Sequence, residues 1–177
     1  LYDTKSGSIF LRPGRYAPEH RRMEQPPRTG SEVFVDTDRA RLYGTYLVPE
    51  GEGPFPTVLI IAGSGPTDRD GNSELLVSNN DNLWHLAQQL RQAGIASIRY
   101  DKLGVGESMP EDLSIVHETT FDHYVEDAVQ WIRYMKQQVS PASIGVAGHS
   151  EGSLIALLAA QAEPVDFVIS MAGNGDL

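Results

Sequence analysis

The chain has 177 residues, 40% of them hydrophobic and 21% charged, with 24 acidic against 14 basic side chains and a formal charge of -10. Its size suits one globular domain, and its charge repels phosphate backbones and anionic lipid, so nucleic acid is not an expected partner. No stretch approaches the roughly 18 consecutive apolar residues of a membrane span. The absence of cysteine excludes disulfides and thiolate metal sites; it leaves the compartment open for a chain expected to be soluble, cytoplasmic or exported.

Residues 1 to 30 contain Pro13, Pro18, Pro26 and Pro27 and no sustained apolar period. They read as an extended arm or linker, with a short hairpin around Ile9 to Leu11 as the alternative. The start at Leu1, without Met, suggests that a leader or upstream segment has been removed.

From Ser31 apolar and polar residues alternate, through Val33 and Val35 and again from Arg41 to Val48, which predicts an antiparallel pair of strands. Thr57 to Ala62 is a continuous β-branched and apolar run, the pattern of a strand buried on both faces. A long polar loop follows from Gly63 to Asn80, and loops of that length are usually functional.

Asp81 or Asn82 can cap a helix carrying Leu83, Leu86, Ala87 and Leu90 on one face, with Gly94 as its stop. Ile95 to Tyr100 returns to strand. After a loop through Gly104, Gly106 and Pro110, Thr120 can cap a second helix, whose Val125, Ala128, Val129, Ile132 and Met135 should lie on the sheet. Ser143 to Ala147 predicts a short strand, Glu151 to Ala162 a helix, and Val165 to Ala172 another buried strand.

This alternation predicts an α/β fold: a mainly parallel sheet, helices on both faces, and an antiparallel pair at one edge. Ligands of such sheets sit beyond the carboxyl ends of the strands. The Gly-rich loops at 63 to 65, 104 to 106 and 148 to 152 all lie at such ends.

Gly148-His149-Ser150-Glu151-Gly152 falls between a predicted strand and a predicted helix, the context in which a G-x-S-x-G sequence exposes a serine nucleophile. Gly148 and Gly152 supply the missing side chains that so sharp a turn requires. The following helix presents its positive end to developing negative charge.

With the loop Ala62 to Asn72 and the segment Tyr100-Asp101-Lys102-Leu103-Gly104-Val105-Gly106-Glu107-Ser108, this motif resembles the α/β-hydrolase superfamily, in its bacterial serine-aminopeptidase-like and esterase branch. The likeness runs from about Val33 to Gly175, so residues 31 to 177 are expected to form a partial α/β-hydrolase domain. Leu103 departs from the Arg common in the resembling enzymes, which puts a local ion pair in doubt. The resemblance implies that Ser150 is the nucleophile and that the oxyanion hole uses the N–H of Glu151 and one from the loop after the third strand, at Ser64 or Gly65. Gly63 and Gly65 would let that backbone approach the substrate oxygen.

Asp68, Asp70 and Asn72 imitate the start of a calcium loop, but Ser73 stands where the sharp-turn Gly is needed and Asn79 where Glu is needed, so no metal is assigned. Asp68, Arg69 and Asp70 are expected instead to hold the loop by hydrogen bonds and ion pairs, and Asp101 to brace the Gly104 to Gly106 turn. His149 reads as structural, its side chain directed away from that of Ser150. His85, His117, in a loop, and His123 read as surface or packing residues, and His20 lies in the arm.

In this superfamily an acid and then a histidine follow the nucleophile along the chain, yet none of the 27 residues after Ser150 is His. The C-terminal strands, acid and base are thus expected to lie in a missing C-terminal part of the same protein, cut off or separated from it. On that reading the 177 residues alone are inactive and are unstable or self-associating; a natural variant that no longer catalyses is the alternative. The leading expectation is a serine hydrolase acting on a small-molecule ester or acyl substrate without a cofactor. Peptidase, thioesterase or acyltransferase chemistry would use the same residues, and a non-catalytic binding module of the same fold is the rival.

Overall fold

The computed structural model describes residues 29–73 and 79–173. Nearly all of the predicted arm, including the Ile9 to Leu11 hairpin and His20, lies outside the described residues.

Six strands form one sheet in the order β1-β2-β4-β3-β5-β6. β1 (Ser31–Asp36) and β2 (Arg41–Leu47) are the expected antiparallel pair, and β2 also runs antiparallel to β4 (Ala96–Tyr100). β3 (Thr57–Ile61), β5 (Ile144–His149) and β6 (Phe167–Met171) complete the parallel part with β4.

The apolar run of β3 serves two cores because successive side chains leave a strand on opposite faces. Leu59 and Ile61 join one cluster, with Trp131, Ile132 and Ile155 from α3 (Phe121–Tyr134) and α4 (Glu151–Ala162). Val58, Ile60 and Ala62 join the other, under Leu83 and Ala87 of α1 (Asn82–Gln92). Helices therefore cover both faces, as the alternation predicted. Burial of each Leu or Ile contributes about 1.5 to 3 kcal/mol. Gly44 in β2 leaves room for the buried ring of Trp131, whose edge would lie 3.0 Å from a Cβ at that position.

The start of α1 is capped differently from the sequence reading. Asp81 occupies the cap position in a left-handed conformation and makes no side-chain capping bond. The Asp70 carbonyl instead accepts the Leu83 and Trp84 N–H groups at 3.1 and 3.3 Å, while the Asp81 carboxylate accepts Asn72 Nδ2 at 2.6 Å. Since the first N–H groups of any helix need outside acceptors, Asp70 and Asn72 of the long loop are folded as one unit with the start of α1. The stop at Gly94 follows expectation: at φ 79° it lets Ile95 N–H reach the Leu90 carbonyl at 2.9 Å.

Three further differences emerge. A single-turn helix, α2 (Ser114–His117), interrupts the loop after β4, so His117 ends a helical turn and is not in an irregular loop. Beyond α3 the chain continues as a π turn over Met135–Val139. β6 is not a buried strand: among the described residues it pairs on one side only, and Phe167 and Ile169 are 38% and 42% exposed. An apolar run identifies a strand but does not reveal whether a neighbour covers its outer side.

Candidate active site

The strand register brings three loop residues to the same level above the sheet. Ile60 pairs with Arg99 on one side and with Ala147 on the other. Three residues further on come Gly63 after β3, Lys102 after β4 and Ser150 after β5, in adjacent positions at the carboxyl ends of parallel strands.

Ser150 is exposed and lies between the end of β5 and the first residue of α4. Its φ of 53° and ψ of -119° are a conformation that L-residues rarely adopt. Such strain is of the order of 1 to 3 kcal/mol and must be held by its surroundings. The Ser150 N–H donates to the Met171 carbonyl at 2.9 Å, and the Ser150 carbonyl accepts from Ser153 N–H at 2.9 Å. Ser153 Oγ also donates to the Gly148 carbonyl at 2.7 Å, closing the turn from within α4.

The glycines around the turn are required sterically. A Cβ at Gly148 would collide with the Gly152 carbonyl, and one at Gly152 would stand 2.6 Å from the carbonyl oxygens of Ile61 and Ala62. At Gly63 a Cβ would meet His149 Nδ1 at 3.2 Å and Ser150 Cβ at 3.4 Å, so the loop backbone rests directly against the elbow. Gly65 has φ 73° and faces open space. The structure thus brings Gly63, Gly148, Gly152, Ser150 and Glu151 together, with Ser64 next along the exposed rim. His149, half-buried, packs its ring near the Gly63 backbone.

The long loop is tied to β4 by two charged pairs. Asp101 accepts Arg69 N–H at 2.8 Å, Arg69 Nη2 at 2.6 Å and Glu107 N–H at 3.0 Å, so it braces the Gly104 to Gly106 turn as expected. Burial works against the Arg69 charge, but the bonds it donates to Asp101 and Glu107 and the attraction of their charges more than offset it and its pKa is raised. Arg99, buried within β4, pairs with Asp70. There burial outweighs the carboxylate and the Arg99 pKa is lowered.

Asp68 accepts the N–H groups of Asp70 and Asn72 at 2.9 and 2.8 Å, which makes it a turn brace; burial raises its pKa. Leu103 leaves no gap, being buried in the core, and the guanidinium that engages Asp101 and Glu107 comes from Arg69. Among the described residues no three His, Asp or Glu side chains gather as a metal site, and no helix is long and apolar enough to cross a membrane.

Of the remaining histidines, His123 Nδ1 accepts the Thr120 N–H at 3.1 Å and helps cap α3, while His85 and His117 are exposed. The sequence reading missed Lys102. It is only 2% exposed, and its Nζ donates to the Gly63 carbonyl at 2.6 Å and lies 3.5 Å from Glu151 Oε2. Its signal was a cation placed between the buried Tyr100 and Leu103, a position that composition alone assigns to solvent.

A doubly covered, mainly parallel sheet with a strained strand-to-helix serine at its carboxyl edge is the architecture of the α/β-hydrolases. The chain belongs to the family described as serine aminopeptidase, S33, whose model matches residues 78–173.

Esterase EstD of Thermotoga maritima is 30% identical over 152 residues, covering 84% of this chain and 35% of the relative. The monoglyceride lipase of Rattus norvegicus is 26% identical over 134 residues, covering 76% and 39%. The chain therefore spans well under half the length of these curated relatives. Among solved structures, an α/β serine hydrolase without a lid from Xanthomonas campestris superposes with a TM-score of 0.64 at 23% identity, over 85% of this chain and 65% of that one. Hydrolase activity is the common property of these relatives.

Proposed function

We propose that the protein is a serine hydrolase that cleaves carboxylic esters of small molecules through an acyl-enzyme at Ser150. The observation that carries this reading is the conformation of Ser150, held at positive φ on the strand-to-helix turn with its side chain at the exposed rim. A helix cap or simple turn has no need of that strain, whereas a nucleophile that must project from the sheet edge does.

In the proposed reaction Ser150 Oγ attacks the acyl carbon as its proton passes to a base, and the carbonyl π electrons move onto oxygen. The N–H groups of Ser64 and Glu151 donate hydrogen bonds to that oxygen, Glu151 adding the positive end of α4. Collapse expels the alcohol, which takes up the proton, and water then releases the acid by the same steps. The base and its acidic partner belong, in this proposal, to a part of the protein beyond the 177 residues, in keeping with the share of EstD and of the lipase that the chain spans. On the same reading these residues alone are inactive. The chemistry requires no cofactor.

The esterase and the lipase among the relatives support an ester, while the serine aminopeptidase family supports peptide cleavage as the second reading. Thioester cleavage and acyl transfer would use the same attack, and a non-catalytic binding module remains the rival from another class. Steady-state hydrolysis of a p-nitrophenyl ester against an aminoacyl p-nitroanilide by the full-length protein separates the first two. The ester is expected to be the faster substrate, with loss of at least about a thousandfold in kcat for Ser150→Ala. Faster anilide turnover would transfer the assignment to peptidase, and equal rates in the wild type and the alanine variant would remove Ser150 from catalysis.

A further inference from the structure

Lys102 is a buried charge at this rim to which the proposed reaction gives no task and which, unlike Arg69 and Asp101, is not part of the ion pair that holds the loop. Its ammonium is enclosed by the Gly63 carbonyl at 2.6 Å, Glu151 Oε2 at 3.5 Å and the ring of Tyr124, whose centroid is 5.1 Å away. Burying an ammonium costs several kcal/mol, and here burial outweighs the attraction of Glu151, so the pKa of Lys102 is lowered. A buried lysine held against a loop carbonyl is an expensive way to stabilise a loop that Arg69 and Asp70 already anchor.

The two groups it touches are the ones that precede or carry the proposed oxyanion donors. The Gly63 carbonyl and the Ser64 N–H belong to one planar trans peptide and point in opposite directions. A donor that fixes the carbonyl therefore fixes the N–H. Gly63, with no side chain, allows that peptide to rotate freely in the absence of a restraint. Among the described residues, no acceptor takes the Ser64 N–H, although its carbonyl is engaged by Thr67 Oγ1 at 3.0 Å. On the other side, Glu151 supplies both the second N–H and the carboxylate facing Lys102.

We propose that Lys102 is a positioning residue of the hydrolytic site, which clamps the Gly63–Ser64 peptide and the first residue of α4 so that both N–H groups face one substrate oxygen. The proposal rests on the ester-hydrolase reading and adds the source of its preorganisation. The polar contacts of Lys102 are to the Gly63 carbonyl and Glu151, not to Ser150. Its loss therefore acts on the developing oxyanion more than on the bound ester, which places the effect in kcat.

The test uses the full-length protein and the variants Lys102→Met, Lys102→Gln and Lys102→Arg, with kcat, KM and the Ki of an aryl trifluoromethyl ketone. That ketone forms a hemiketal whose oxyanion occupies the same hole. Losing one oxyanion donor lowers kcat by about a hundredfold, so K102M is expected to lose about that factor with KM changed less than about threefold, and K102R to recover at least tenfold of it. Across whichever variants fold, log Ki should rise as log kcat falls, with a slope near minus one.

The clamp is overturned if folded variants keep kcat within threefold of wild type, or lose kcat with no matching loss of ketone affinity. A wild-type protein that hydrolyses no ester and binds no ketone removes the underlying reading, and the clamp with it. Active wild type with insensitive variants removes the clamp alone.

Discussion

Two ends of the same sheet are built in opposite ways. At the rim above β3, β4 and β5, backbone, charge and glycine are packed so closely that a Cβ at Gly148 has no room, and Arg69, Asp101 and Lys102 are buried at 2 to 3% exposure. At β6, whose Phe167 and Ile169 pair with Gly145 and Ala147, five and three residues before Ser150, these two side chains stand 38% and 42% exposed, and Phe167 lies across the bare backbone of Gly145. Apolar burial stabilises a fold without regard to direction, and α1 and α4 leave the outer face of β6 uncovered. Buried charges cost stability and persist where direction matters. The difference marks the rim as the place where geometry is held against its natural tendency, and β6 as an edge suited to further covering structure.

Substitutions at the two ends should differ accordingly. Asp101→Ala leaves the Arg69 guanidinium buried without its main partner and frees the turn at Glu107. The expected cost is about 3 to 5 kcal/mol in urea unfolding of the full-length protein, and a loss under about 1 kcal/mol would mean that the loop is anchored elsewhere. Gly148→Ala forces the elbow and α4 apart. Overpacking of this kind is expected to cost about 3 kcal/mol and to abolish ester turnover, in contrast to the mild effect of an alanine in an open turn. At the other end, Ile169→Lys is expected to change the stability of the isolated 177-residue chain, in which that side chain is 42% exposed, by less than about 0.5 kcal/mol. In the same chain it should reduce self-association, read by sedimentation velocity, because the added charge blocks edge-to-edge pairing. An unchanged sedimentation profile would show that β6 is not the sticky surface.

The same contrast explains what could be read in the sequence. Strand and helix identities were legible because β3 and α3 carry unambiguous periods, and the elbow was legible because Gly148, Ser150 and Gly152 sit at a strand-to-helix boundary. Asp101 as a turn brace was also legible, since a carboxylate just before two glycines has few other uses. The buried charges Arg99 and Lys102 were not, because hydropathy assigns such residues to solvent and only the register sets Lys102 beside Gly63. The cap of α1 was misread for a related reason: an acid before a helix is an ordinary cap, but the acceptor came from the Asp70 carbonyl, eleven residues before Asp81. β6 read as buried because a sequence does not state which strand is last in a sheet.

The central claim, that Ser150 is an activated nucleophile, is most directly tested by intact mass of the full-length protein before and after reaction with a fluorophosphonate, followed by peptide mapping and a Ser150→Ala control. The expected result is a single adduct on the peptide containing Ser150, absent from the alanine variant. A folded, full-length protein that takes up no adduct, or takes it up elsewhere, would contradict the serine-hydrolase assignment and leave a binding module of the same fold.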